Sequence, residues 1–160
     1  MPNAQLEKIV ISTGIGRLRQ QAQFEEKILP ELVKELALIS GQHPAHKGAK
    51  KSVAGFKIRE GDTVGLMITL RGKKMRDFLE RLIKVVLPRV RDFRGIDPGA
   101  IDRQGNLNLG FREHTVFPEI NADETKFDFG LEVTLVAKVK DAEAGYALYK
   151  SLGMPLKEKK

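Results

Sequence analysis

The sequence predicts an α+β fold: a mainly antiparallel sheet with helices packed on one face, and a long basic loop. Three observations predict it. Residues 64–71 and 127–139 alternate apolar and other side chains with period two, the signature of half-buried strands. Residues 24–40 and 73–86 repeat apolar side chains at three- and four-residue spacing, the signature of helices with one buried face. Residues 42–62 lose both periods and hold Pro44, Gly48, Gly55 and Gly61 among scattered lysines. Half-polar strands bury one face only, which favours antiparallel pairing with helices on the buried side.

In chain order, residues 7–13 form a strand centred on Ile9, Val10 and Ile11, ended by Gly14-Ile15-Gly16. The helix over 24–40 turns Ile28, Leu29, Leu32, Val33, Leu36 and Ile39 inward, with Pro30 near its start and Gly41 as its stop. Residues 42–62 read as short strand edges around the long loop. In the strand over 64–71, Val64, Leu66, Ile68 and Leu70 face one way and Gly65, Met67, Thr69 and Arg71 the other. The helix over 73–86 buries Met75, Phe78, Leu79, Leu82, Ile83 and Val86, and Pro88 closes it. Residues 89–108 show no sustained period and read as connecting loops. Every odd position of the strand over 127–139 is apolar. Asp141 then caps a last helix to residue 152, before Gly153, Pro155 and a frayed tail. No internal repeat interrupts this order, and residues 1–160 are expected to form a single domain.

A chain of 160 residues that is 41% hydrophobic buries a core without staples. It has no cysteine, which excludes disulfides and thiolate metal sites and suits a cytoplasmic home. No apolar run approaches the roughly 20 residues that span a bilayer, and Met1-Pro2-Asn3-Ala4-Gln5 does not lead into an apolar signal core. No membrane association is expected.

The net charge is +7 and the pI about 9.7, a balance that suits phosphate-bearing partners. Its distribution says more. Residues 1–42 are neutral overall, and residues 95–160 carry eleven acidic against nine basic side chains. Residues 43–94 hold fourteen basic and five acidic side chains, so the whole excess sits in the middle third.

Catalytic and cofactor motifs fail at specific positions. After Gly14-Ile15-Gly16, the third glycine of a dinucleotide loop would fall where Arg19 stands. Gly48-Ala49-Lys50-Lys51-Ser52 carries Lys50 where a phosphate loop needs glycine. His43 and His46 are three apart and His114 is distant, with no cysteine to complete a zinc set, so these read as loop histidines. No nucleophile elbow is present and the carboxylates are dispersed. The chain is expected to be no enzyme and to hold no metal or cofactor.

The stretch over 40–59 is different. It carries Lys47, Lys50, Lys51, Lys57 and Arg59 with no acid, interleaved with Gly48, Ala49, Ser52, Ala54 and Gly55. Small residues let backbone N–H groups approach phosphate while lysine supplies charge. Phe56 either stacks on a base or ribose or tucks back into the core. On the unclaimed side of strand 64–71, Thr69 and Arg71 suit RNA backbone and 2′-hydroxyl groups. Arg89, Arg91 and Arg94 add further charge.

These segments also carry a family resemblance along nearly the whole chain. It runs through Glu7-Lys8-Ile9, Gly14-Ile15-Gly16, Ile39-Ser40-Gly41-Gln42 and Lys51-Ser52-Val53-Ala54-Gly55-Phe56-Lys57-Ile58-Arg59-Glu60-Gly61. It continues through Leu70-Arg71-Gly72, Phe78-Leu79-Glu80-Arg81-Leu82, Pro88-Arg89-Val90-Arg91-Asp92-Phe93-Arg94-Gly95, Gly105-Asn106 and Phe117-Pro118-Glu119-Ile120. The sequence resembles the large-subunit ribosomal protein five family, the universal 5S rRNA-binding ribosomal proteins. The resemblance implies a structural constituent of the large subunit that attaches 5S rRNA in the central protuberance. Implied partners are 5S rRNA, large-subunit rRNA, P-site tRNA, a small-subunit head ribosomal protein and other central-protuberance ribosomal proteins.

By that resemblance Ser12, Gln42 and Thr69 match the family's 5S rRNA contacts, and with the basic residues they give an expected set of Ser12, Thr13, Gln42, Lys47, Lys50, Lys51, Thr69 and Arg71. The loop of Val53, Ala54, Gly55, Phe56, Lys57, Ile58 and Arg59 is similar to the one that reaches P-site tRNA. Arg89, Arg91, Asp92, Arg112 and Glu113 are similar to positions that form an intersubunit bridge. Two departures stand out: family members carry a further helix ahead of the first strand, where Met1 stands here, and they often have Asn at the place of Ser12. The competing reading is a free-standing RNA chaperone or RNA-modification accessory protein that uses the same surfaces.

Overall fold

β1, Leu6–Gly14, lies at the centre of a five-stranded sheet in the computed structural model, which describes residues 5–52, 54–56 and 58–159. The other strands are β2 (Ala45–Gly48), β3 (Thr63–Leu70), β4 (Leu107–Phe111) and β5 (Leu131–Ala137). Their order across the sheet is β2-β3-β1-β5-β4, and every neighbouring pair is antiparallel. The predicted class is therefore the observed one.

Period two decides what each strand buries. Ile9 and Ile11 of β1, Leu66, Ile68 and Leu70 of β3, and Val133 and Leu135 of β5 are almost wholly buried. Each such side chain contributes about 1.5–3 kcal/mol by leaving water. The helices supply the opposing apolar layer. α1 (Leu29–Ser40) buries Leu32, Leu36 and Ile39 and stops at Gly41, whose φ of 76° suits a residue without Cβ. α2 (Gly72–Arg81) buries Met75, Phe78 and Leu79. α4 (Ala142–Ser151) starts at Asp141, whose carboxylate accepts from the Ala144 N–H at 2.9 Å.

Pro88 does not close the second helix as the sequence suggests. A π-turn over Leu82–Val86 follows α2, and the chain continues as α3 (Leu87–Arg89). The first helix repeats the device: a π-turn over Phe24–Ile28 precedes Leu29 and Pro30. In both, the leucine before the proline donates five residues back, Leu29 to the Phe24 carbonyl and Leu87 to the Leu82 carbonyl. A proline inside a regular helix lacks its N–H and clashes with the carbonyl four residues earlier. The wider π-turn relieves that clash, so each helix continues past its Leu-Pro pair, the first into α1 and the second by one residue to Arg89.

Two further expectations change. Residues 89–108 are not all connecting loop, because β4 begins at Leu107 and pairs with β5. The strand predicted over 127–139 shrinks to Leu131–Ala137. The Phe129 carbonyl instead accepts from the His114 N–H at 3.0 Å, outside any strand ladder. Gly130 also lies against the Phe111 carbonyl, 2.9 Å from where a Cβ would stand.

Candidate nucleic-acid interface

The side of the sheet away from the helices is an open face, and its register arranges that face in rows. One row runs Asn108, Thr134, Val10, Thr69 from β4 to β3. The next runs Gly110, Glu132, Ser12, Met67, Ala45 across all five strands. A third begins Gly14, Gly65, Lys47. Most of these side chains are short, and Val10, Ser12, Met67, Thr69 and Thr134 of the inner strands are half-buried. A Cβ at Gly14 or Gly110 would meet nothing within 4 Å, so the surface there is flat backbone. Such a face admits a broad partner and suits shape-based contact with RNA backbone and ribose.

Three predicted contact residues gather on this face. Ser12 lies opposite Met67, which places it diagonally across from Thr69 on the neighbouring strand. Gln42 reaches the same place from the end of α1: its Nε2 donates to the Thr69 carbonyl at 3.1 Å. The Gln42 backbone N–H donates in turn to Ser40 Oγ at 3.2 Å, which fixes the turn that carries it. Thr134 Oγ1 donates to Asn108 Oδ1 at 3.0 Å, adding a polar pair that the sequence reading missed. Its signal was present in the alternation of Leu107, Leu109 and Phe111 with Asn108 and Gly110, only five residues long.

Thr13 lies on the opposite side. Period two turns it toward the helices once Ser12 faces out, and it is buried with its hydroxyl donating to the Gly130 carbonyl at 2.6 Å. It is therefore no part of the open face.

Positive charge flanks the open face. Lys47 stands exposed on edge strand β2, Lys50 and Lys51 are exposed just beyond it, and Arg71 is exposed ahead of α2. The connection that follows β2 is fastened at its base: the Ala49 N–H donates to the Asp62 carbonyl at 2.7 Å, and the Gly61 N–H to the Ala49 carbonyl at 2.9 Å. Ala54 and Gly55 are exposed in a short 3₁₀ turn, Ile58 is half-buried, and Arg59 is exposed. Val53, Lys57 and the Phe56 side chain lie outside the described residues. Asp62 also pairs with Arg19 at 3.1 Å, and Arg19 donates to the Thr63 carbonyl at 3.0 Å, which ties the strand entry to the segment after β1.

The bridge positions converge elsewhere. Arg91, Asp92, Arg112 and Glu113 surround a groove of about 480 Å³ along the β4 edge, with Phe93, Phe111 and Val116 among its apolar walls. Arg89 is exposed at the end of α3, beyond that lining.

A family model described as ribosomal protein L5 matches residues 1–59, and a second, describing the C-terminus of the same ribosomal family, matches residues 63–156. The chain belongs to the ribosomal protein L5 family. A protein named large ribosomal subunit protein uL5 from Halothermothrix orenii is 46% identical over 153 residues, covering 96% of this chain and 83% of the relative. Proteins of that name from Syntrophomonas wolfei and from a Synechococcus strain are 47% and 49% identical, each covering at least 94% of this chain and 81% of the relative. The L5 family is structural and non-enzymatic, in line with the failed catalytic motifs.

Both regions of L5-family similarity contribute to one sheet, since β1 and β2 fall in the first and β3, β4 and β5 in the second. The open face thus depends on both. His43 is an exposed loop residue as expected, but His46 is exposed on edge strand β2, and His114 is no exposed loop histidine either. It is fully buried, stacks on Phe129 with ring centroids 4.0 Å apart, and sets Nε2 2.8 Å from Glu35 Oε2 of α1. Among the described residues no His, Asp and Glu group is arranged to hold a metal, and no helix is long and apolar enough to cross a membrane.

Proposed function

We propose that this chain is a structural constituent of the large ribosomal subunit that binds 5S rRNA through the open face of its sheet. The gathering of Ser12, Gln42 and Thr69 on one flat patch carries the reading. Hydroxyl and amide groups there offer donors and acceptors to ribose and backbone, while Lys47, Lys50, Lys51 and Arg71 supply charge for phosphate. The charge segregation of residues 43–94 supports the same surface. Binding is organisational: the face holds 5S rRNA against large-subunit rRNA and the other proteins of the central protuberance. The loop from Val53 to Arg59 reaches P-site tRNA. Arg89, Arg91, Asp92, Arg112 and Glu113 meet a small-subunit head protein, and the groove along β4 offers that partner an apolar seat.

The test is 5S rRNA binding measured across a salt series, together with sedimentation of the protein from cells. Steep loss of affinity with salt and co-sedimentation with large subunits are expected. A pool entirely free of ribosomes would overturn the reading in favour of a free-standing RNA chaperone.

A further inference from the structure

Among the described residues of the three rows, a single acid stands on the open face. Glu132 of β5 lies between Ser12 on β1 and Gly110 on β4. It is exposed, and no described residue hydrogen-bonds or pairs with its carboxylate. The space above its Gly110 neighbour is open. Arg112 follows β4 two positions beyond Gly110, diagonal to Glu132, but makes no ion pair with it; Lys8 is four positions along β1 from Ser12, about 13 Å, and Lys47 lies three strands away, about 14 Å.

An ionised carboxylate only accepts hydrogen bonds, and it repels phosphate. An RNA on this face must therefore turn a donor toward Glu132. A flat sheet suits the wide, shallow minor groove of an A-form helix, not its deep, narrow major groove. That minor groove displays two kinds of donor, the ribose 2′-hydroxyl and the guanine N2 amino group; A·U pairs show only acceptors on their base edges. The 2′-hydroxyl both donates and accepts, and the hydroxyls of Ser12 and Thr69 already suit it. The base amino group is the donor that calls for an acceptor-only partner.

Resting on the reading that the open face meets 5S rRNA, we infer that Glu132 selects sequence on this face by accepting a hydrogen bond from a guanine N2 amino group in the minor groove. The neutral residues and the lysines hold the RNA whatever its sequence. Glu132 penalises any register that puts a phosphate or an A·U pair over it.

The experiment uses 5S rRNA in which inosine, which lacks the N2 amino group, sparsely replaces guanosine with a cleavable phosphorothioate tag. A parallel pool carries 2′-deoxyguanosine. Bound and free fractions are compared for the wild-type protein, Glu132→Ala and Glu132→Gln, with thermal melts confirming that each variant is folded. Inosine should be excluded from the wild-type complex at discrete guanosines and tolerated there by Glu132→Ala. Glu132→Gln, which keeps an acceptor oxygen, should retain the same positions at reduced strength. Glu132→Ala should bind 5S rRNA about tenfold more weakly, with no loss on a random RNA of equal length. Identical inosine maps for wild type and Glu132→Ala would overturn the inference. So would a change confined to the deoxyguanosine map, which would mark a ribose contact. A wild-type protein that does not bind 5S rRNA at all would take down the reading of the face and this inference together.

Discussion

Gln42 donates through Nε2 to the carbonyl of Thr69 at 3.1 Å, across 27 positions of sequence. The bond lies at the end of β3 that β2 leaves uncovered, since the β2–β3 ladder begins only at Ala45 and Met67. Gln42 thus takes over the edge of β3 and holds its side chain beside Thr69. Gln42→Ala should weaken 5S rRNA binding by on the order of tenfold while costing about 0.5–1.5 kcal/mol of stability. Filter binding and thermal melts check the two effects separately.

Thr69→Val keeps the shape and the β propensity of the residue and deletes one outward hydroxyl. The protein should melt within a few degrees of the wild type and bind 5S rRNA more weakly. Full retention of affinity would show that RNA does not lie on this face.

Thr13 offers the converse case. Its hydroxyl is committed to Gly130 inside the fold. Thr13→Val should destabilise the protein by about 1 kcal/mol in denaturant titration and leave 5S rRNA affinity unchanged.

Lys50 and Lys51 are exposed beyond the β2 edge. A Lys50→Ala, Lys51→Ala double variant should flatten the log-affinity against log-salt slope by about one to two units. An unchanged slope would show that these lysines do not touch 5S phosphate.

Tyr149 is fully buried, and its hydroxyl donates toward the carbonyls of Gly105 at 2.6 Å and Leu135 at 3.0 Å. Burial pushes its phenol well above the ordinary value of 10.0. The folded state therefore holds the proton more tightly than the unfolded chain. Its stabilising effect is full below pH 10 and declines as pH rises above that. Tyr149→Phe should lower stability at neutral pH and lose this part of the alkaline decline, as read by denaturant titration at several pH values.

Much of the fold was legible because its signals are local. Period two over 64–71 turned Thr69 outward, and three- and four-residue spacing marked both long helices. The failures were local as well. Pro88 reads as a helix end because the chain itself does not announce a π-turn that lets the helix pass through it. β4 has five residues, too few for its alternation to stand out among Gly, Asp and Arg neighbours. His114 reads as a loop histidine because Glu35 and Phe129, which enclose it, are remote or out of phase in sequence.

The sequence by itself determined the fold class, the family, the seat of the positive charge and the outward phase of β3. Each follows from composition, from order along the chain, or from a period spanning a few residues. Only the tertiary structure decided which side chains share the face. It brought Gln42 to Thr69, set Thr13 behind Ser12 against Gly130, gathered Arg91, Asp92, Arg112 and Glu113 around one groove, and left Glu132 alone beside Ser12. Those neighbours come from strands and turns far apart in the chain. Their pairing depends on the register in which antiparallel strands lock to bury one face, and no local period encodes that register.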